Sequence, residues 1–165
     1  MERKESTKLL IEELKSANPS EEKIRKLVAT GADIGEDFLK EMIQALMPTH
    51  DHLGKFYGKV PDLKLFQLLI ELGADVNYTD DGFNCLYDAA LAWQPDLVEL
   101  FLKAGANPNC ISDETPESFL DWVENDMWHE EGNIGGDEIL PKIIELLKSY
   151  GAKGLRELDE WPQNS

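Results

Sequence analysis

Apolar residues recur along this chain at helical spacing, three or four positions apart, and four such stretches end in the dipeptide Gly-Ala. These dipeptides begin at Gly31, Gly73, Gly105 and Gly151, so they follow one another after 42, 32 and 46 residues. A glycine just past the last apolar position ends a helix, because the left-handed backbone conformation found there suits glycine. A recurrence of this length predicts a stack of repeated helical units.

The clearest unit spans residues 79–111. Asp81-Gly82 predicts a turn, and Leu86 and Ala89 share one face of a short first helix. Pro95 ends that helix and is tolerated in the first turn of the next one. The second helix has an apolar stripe at helical spacing, formed by Leu97, Val98, Phe101 and Leu102. One such helix pair cannot bury both its faces alone, so it requires neighbours.

This unit resembles an ankyrin repeat, whose pattern is roughly D-x-x-G-x-T-P-L-H-x-A-A, then x-V-x-x-L-L-x-x-G-A-D-x-N. The matching residues are Gly82, Leu86, Ala89, Ala90, Val98, Phe101, Leu102, Gly105, Ala106, Asn107 and Asn109. The Thr-Pro-Leu-His of the pattern is replaced here by Asn84-Cys85-Leu86-Tyr87. The resemblance covers about residues 5–153 and is strongest over 62–111. It implies an all-α ankyrin-repeat solenoid of about four helix pairs.

We therefore expect one domain over residues 1–165. Its units are predicted at about 5–35, 36–78, 79–111 and 112–153, followed by a tail at 154–165. The helices are predicted at about 7–16, 21–30, 36–47, 62–72, 116–128 and 139–150. Units two and four are longer than a standard repeat because enlarged loops, 48–61 and 129–138, join their first and second helices. Insertions in repeat proteins tend to lie on one face, which is often functional.

Charge is distributed unevenly along the chain. The net charge is −17, and residues 65–141 carry −16 of it, with 17 acidic residues and a single basic one, Lys103. Such a segment should repel nucleic acid and attract a basic protein surface. An acidic surface also keeps a protein soluble without any charged partner, and the sequence leaves both interpretations open.

Metal and catalytic motifs are weak. His50-Asp51-His52 is the only metal-like cluster; a third ligand is not evident, and a solvated polar loop is the simpler interpretation. His129-Glu130-Glu131 lacks the second histidine of a zinc-protease helix. Cys85 and Cys110 are predicted to be unpaired thiols in a reducing compartment. We therefore predict no metal, no cofactor and no catalytic residue.

The resemblance also implies where a partner binds. Ankyrin proteins usually contact partners through their turn tips and the exposed face of each first helix. The corresponding residues here are Asp80, Asp81, Phe83, Leu91, Trp93, Asp113, Glu114 and Trp122. Trp93 replaces the glycine that usually ends the first helix and is expected to be exposed. Aromatic side chains surrounded by carboxylates suit a cationic partner. The alternative, which the sequence leaves open, is that Phe83, Trp122 and Trp128 pack against the enlarged loop.

The favoured interpretation is a monomeric, cytoplasmic, non-catalytic protein-interaction module that binds a basic protein, with no nucleic-acid or membrane partner. One alternative is an immunity-type inhibitor of a basic toxin such as a nuclease. The other is a metal-dependent enzyme that uses the histidine-bearing loop. No apolar run is long enough to span a membrane, and the charged start MERKESTKLL lacks the apolar region of a signal peptide.

Overall fold

The structure, a computed structural model, describes residues 4–46, 49–50, 56–57, 62–129 and 136–158. These residues form eight α-helices and one short antiparallel strand pair. The strands β1 (Thr49–His50) and β2 (Phe56–Tyr57) have two residues each. The helices are α1 (Glu5–Leu14), α2 (Glu21–Ala29), α3 (Phe38–Leu46), α4 (Leu63–Glu71), α5 (Cys85–Leu91), α6 (Pro95–Lys103), α7 (Phe119–His129) and α8 (Gly136–Ser149). The predicted all-α fold is confirmed.

The helices pack in two layers. Within pairs, α1 packs on α2, α5 on α6 and α7 on α8. Between successive pairs, α3 packs on α5 in one layer, while α4 packs on α6 and α6 on α8 in the other. This arrangement is a helical solenoid, in which each unit contacts only its neighbours.

The second helix of each pair ends in the same way. The glycines at 31, 73, 105 and 151 have φ between 86° and 107°, and no atom would lie within 4 Å of a Cβ placed on any of them. Backbone conformation, rather than lack of space, therefore requires glycine. The alanine after each glycine donates its N–H to a carbonyl in the last helical turn, as from Ala106 to Phe101 at 3.0 Å. The methyl group of this alanine is buried. In each Gly-Ala dipeptide the glycine therefore ends the helix and the alanine packs into the core.

Asparagine side chains join consecutive units just after these helix ends. Asn77 donates its Nδ2 to the carbonyl of Gly105 at 3.0 Å and accepts from the N–H of Asn107 at 2.7 Å. Asn109 makes the same pair of bonds to the next unit. These amides satisfy backbone groups that the helix ends leave without partners.

Helix starts are set by capping residues. Ser20 accepts from the N–H of Lys23, which confirms it as the N-cap of α2. Helix α7 begins at Phe119, three residues later than predicted, because Ser118 and Asp121 cap it reciprocally: the hydroxyl of Ser118 accepts from the N–H of Asp121 at 3.1 Å, and the Asp121 carboxylate accepts from the N–H of Ser118 at 3.2 Å. Helix α8 begins earlier than predicted, at Gly136, with Pro141 inside it.

The core runs along the stack between the two layers. Phe66 on α4 and Phe101 on α6 are both fully buried and meet edge to face, with ring centroids 6.2 Å apart. The last unit is closed by a short 3-10 helix, Leu155–Glu157, whose first N–H donates to the carboxylate of Asp121 at 2.7 Å. The residues predicted to be buried in the third unit, Leu86, Ala89, Leu97, Phe101 and Leu102, are all buried.

Replacing Phe101 by alanine should lower the free energy of unfolding by about 3–5 kcal/mol, because it removes a buried ring and leaves a cavity between units. Leu9 is 43% exposed and provides the control: Leu9→Ala should cost about 0.5 kcal/mol. Urea denaturation followed by circular dichroism measures both. Equal losses in the two variants would contradict the placement of Phe101.

Candidate partner-binding face

Two turns precede the first helices α5 and α7. Turn A, residues 80–83, is closed by reciprocal backbone bonds between Asp80 and Phe83 of 3.0 and 3.1 Å. Turn B, residues 111–118, is closed by the pairing of Ile111 with Ser118 and is four residues longer. We refer to the exposed surface of the two turns and the adjoining faces of α5 and α7 as the turn face.

Turn A and turn B are in direct contact. The N–H of Asp113 donates to the carbonyl of Asp81 at 3.1 Å. Gly82 has φ +87°, and a Cβ there would lie 2.0 Å from the carbonyl oxygen of Ile111 and 2.7 Å from the nitrogen of Asp113. Only glycine therefore lets the two backbones come this close. The backbone contact brings the two turns, each of which carries acidic residues at its tip, next to each other.

Four of the predicted contact residues are carboxylates at the turn tips. Asp80, Asp81, Asp113 and Glu114 are all exposed. None of them takes part in an ion pair within the described residues. Glu117, at the end of turn B, is half-buried, and burial together with the nearby charge of Asp121 raises the pKa of its carboxyl. The turn tips are therefore a surface of uncompensated negative charge.

Phe83 lies beneath this surface, not on it. Its residue is only 8% exposed, and its ring stacks on Tyr87 and packs against Phe119, with centroids 5.2 and 5.8 Å away. Trp122 is half-buried and lies against Tyr87, with centroids 4.5 Å apart. The expectation that Phe83 offers a contact surface is wrong, because the ring is part of the core between α5 and α7. Trp122 keeps an exposed part.

Trp93 is also buried. The sequence predicts that it is exposed, and this is wrong, since only 3% of the residue is accessible. It follows α5 with φ +53°, the left-handed conformation for which the ankyrin pattern uses glycine. Trp93 thus keeps the backbone conformation that glycine has in the ankyrin pattern. This conformation is strained for a residue with a side chain, and burial of the large indole compensates for the strain. Leu91, at the end of α5, is 43% exposed and belongs to the turn face.

A buried charge pair lies behind turn A and was not predicted. The Nζ of Lys40, on α3, donates to the carbonyl of Phe83 at 3.1 Å and lies 3.5 Å from Oδ2 of Asp88. Gln44 donates its Nε2 to the other carboxylate oxygen of Asp88 at 3.0 Å. Lys40 and Asp88 are 9% and 6% exposed. A lysine followed by glutamate on an amphipathic helix gives no sequence signal of such burial, because the partner lies more than 40 residues away.

The other predicted chemistry gives no site in the described part of the chain. Both cysteines are buried thiols, and burial raises the pKa of each, so neither is activated as a nucleophile. No group of three metal-ligating side chains occurs among the described residues. His50 and His129 are described only in their backbone, and most of loop 48–61 and loop 129–138 lies outside the described residues.

Two layers of helices with turns along one edge define the protein as a repeat solenoid. Comparison with protein families matches residues 81–113 to the Ankyrin repeat. The chain is also similar to protein fem-1 homolog C from Bos taurus, Mus musculus and Homo sapiens, with 39% identity over 69 residues in each case. That stretch is 40% of this chain and 11% of the relative's length. Residues 81–113 thus match an ankyrin repeat, and both comparisons support the ankyrin-repeat resemblance of the chain.

The contact between the turns can be tested through Gly82. Gly82→Ala should lower the free energy of unfolding by about 1–3 kcal/mol from backbone strain alone, with a further loss because the methyl group would overlap backbone atoms of turn B. Gly73→Ala is the matched control, since Gly73 has φ +107° but a methyl group there would meet no atom within 4 Å. Denaturant melts should show the larger loss for Gly82→Ala. Equal losses would mean that turn A and turn B do not depend on close approach.

Proposed function

We propose that this chain binds a protein with a basic surface through its turn face. Ankyrin repeats generally mediate protein–protein interactions, and the family typically forms non-enzymatic interaction modules. The observation that carries the proposal is the set of four exposed carboxylates on two contacting turns.

Electrostatics favours a cationic partner for this face. Each carboxylate at the turn tips is solvated and has no cation beside it within the described residues, so a basic group on a partner gains attraction without breaking an existing ion pair. Long-range attraction of this kind mainly raises the rate of association. The same field opposes the approach of nucleic acid.

The remaining contact residues supply apolar area. Leu91 is exposed at the end of α5, and the half-buried Trp122 lies on α7 between the two units. Interfaces commonly centre on such aromatic and aliphatic groups, with charged residues around them. In this proposal Leu91 and Trp122 contribute to the lifetime of the complex, and the turn carboxylates to its rate of formation.

No helix in the described ranges combines the length and the apolar character needed to cross a bilayer. We include a single domain, a monomeric state and a cytoplasmic location in the proposal, on the grounds given by the sequence.

The test uses a partner captured at low salt from the native source, identified by mass spectrometry and purified. Its association rate should fall about tenfold or more as salt rises from about 0.05 to 0.5 M, because salt screens exposed charges. Asp80→Asn with Asp81→Asn should lower the association rate several-fold at low salt. Asparagine tolerates the left-handed conformation at position 81, so the turn itself should persist.

The control is Asp96→Asn with Glu145→Gln. Both residues are exposed on the second helices α6 and α8, so this pair removes the same charge away from the turns. It should change the association rate by less than about twofold. Equal effects of the two pairs, or an association rate indifferent to salt, would refute binding through the turn face.

A further inference from the structure

Lys40 is bonded to the atom that closes turn A. The carbonyl oxygen of Phe83 accepts the N–H of Asp80 at 3.0 Å, and the same oxygen accepts a hydrogen bond from Nζ of Lys40 at 3.1 Å. Lys40 belongs to α3, in the preceding unit, so this contact crosses from one unit to the next. Side-chain exposure is 11% for Lys40, which keeps water away from the bond.

Asp88 makes this placement of an ammonium group possible. A buried cation without a counter-charge is strongly destabilising, and Asp88 supplies the opposite charge 3.5 Å away. Yet the same Asp88 oxygen, Oδ2, is buried without a hydrogen bond from any described residue. As a source of global stability the pair is therefore poor, because two apolar residues of similar size serve as well or better at many buried sites. What apolar residues cannot supply is a donor for the Phe83 carbonyl.

Turn A needs such a donor. Two successive residues, Asp81 and Gly82, have positive φ values of 52° and 87°, which is strained for the aspartate. The carboxylates of Asp80 and Asp81 repel each other and those of turn B. Turn B supports turn A from one side through the bond from Asp113 to Asp81, and Lys40 supports it from the other.

We propose that Lys40 is a positioning residue that holds the acidic turn A in the conformation in which it meets the partner. The proposal rests on the proposed function of the turn face. Lys40 does not touch the partner; it acts through the carbonyl of Phe83. Its own charge is balanced by Asp88, so it fixes the turn without reducing the negative field at the tips.

The decisive variant is Lys40→Met with Asp88→Leu. It removes one positive and one negative charge, leaves the net charge unchanged, and replaces the pair with apolar groups. Global stability in urea should stay close to that of the parent chain. Hydrogen exchange of the Asp80 and Phe83 amides should rise at least tenfold, while that of amides within α6 stays unchanged. Lys103→Met with Glu99→Leu removes the exposed ion pair of α6 and is the matched control, with no effect expected on turn A.

Binding of the purified partner gives the second readout. Because the net charge is the same, Lys40→Met with Asp88→Leu should keep the salt-dependent association rate, whereas the dissociation rate should rise about five- to tenfold. If this pair does not fold, Lys40→Met with Asp88→Asn, which also removes the donor and leaves the net charge unchanged, is judged by the same two readouts.

The outcomes separate the two proposals. Unchanged exchange at Asp80 and Phe83 would overturn the positioning role, whatever the partner does. Raised exchange with an unchanged dissociation rate would show that the turn is anchored by Lys40 but that binding does not require it, which also overturns the proposal. Salt-independent binding of the parent chain would instead count against the proposed function, and exchange would still decide whether Lys40 holds the turn.

Discussion

The stack depends on a left-handed glycine at the end of each second helix. Only with positive φ at this residue can the next N–H bond back to the last helical turn, as Ala106 does to Phe101. That bond reverses the chain and buries the alanine methyl group. After Gly73 and Gly105 it also leads to an asparagine, Asn77 or Asn109, whose side chain bonds to the backbone of the next unit. The conformation of one residue per unit therefore sets the direction in which every turn projects.

The turns differ from one another because the chain beyond this shared helix end differs in length and in sequence. In turn A the chain closes over two central residues, and the absence of a side chain at Gly82 lets turn B lie against it. Turn B takes four more residues before Ser118 caps its helix, so the Thr115-Pro116 dipeptide lies in the loop rather than at the helix start. Beneath the acidic tips of both turns lies one cluster of aromatic rings in mutual contact, formed by Phe83, Tyr87, Phe119 and Trp122.

The sequence predicts the parts of this fold that local rules decide. Glycine conformation, capping by Ser20 and the apolar stripe of α6 depend on neighbouring residues, and the structure confirms them. Burial of Phe83 and Trp93 could not be predicted in this way, since a ring beside a turn is covered or exposed according to which helix packs over it. The contact of Lys40 could not be predicted for the same reason, because the carbonyl it binds belongs to the next unit.

Within the described part of the acidic segment 65–141, most carboxylates that form ion pairs do so with lysine or arginine side chains from outside the segment. Residues 65–141 contain only one base of their own, and it pairs with Glu99. The other cations come from outside the segment, in the pairs Arg25–Glu71, Lys40–Asp88 and Lys148–Glu124. All four compensated carboxylates lie on helices, whereas the turn tips receive no cation within the described residues. For the basic partner that we propose, this distribution matters, because a carboxylate already paired within the chain has less attraction to offer than an unpaired one at a turn tip.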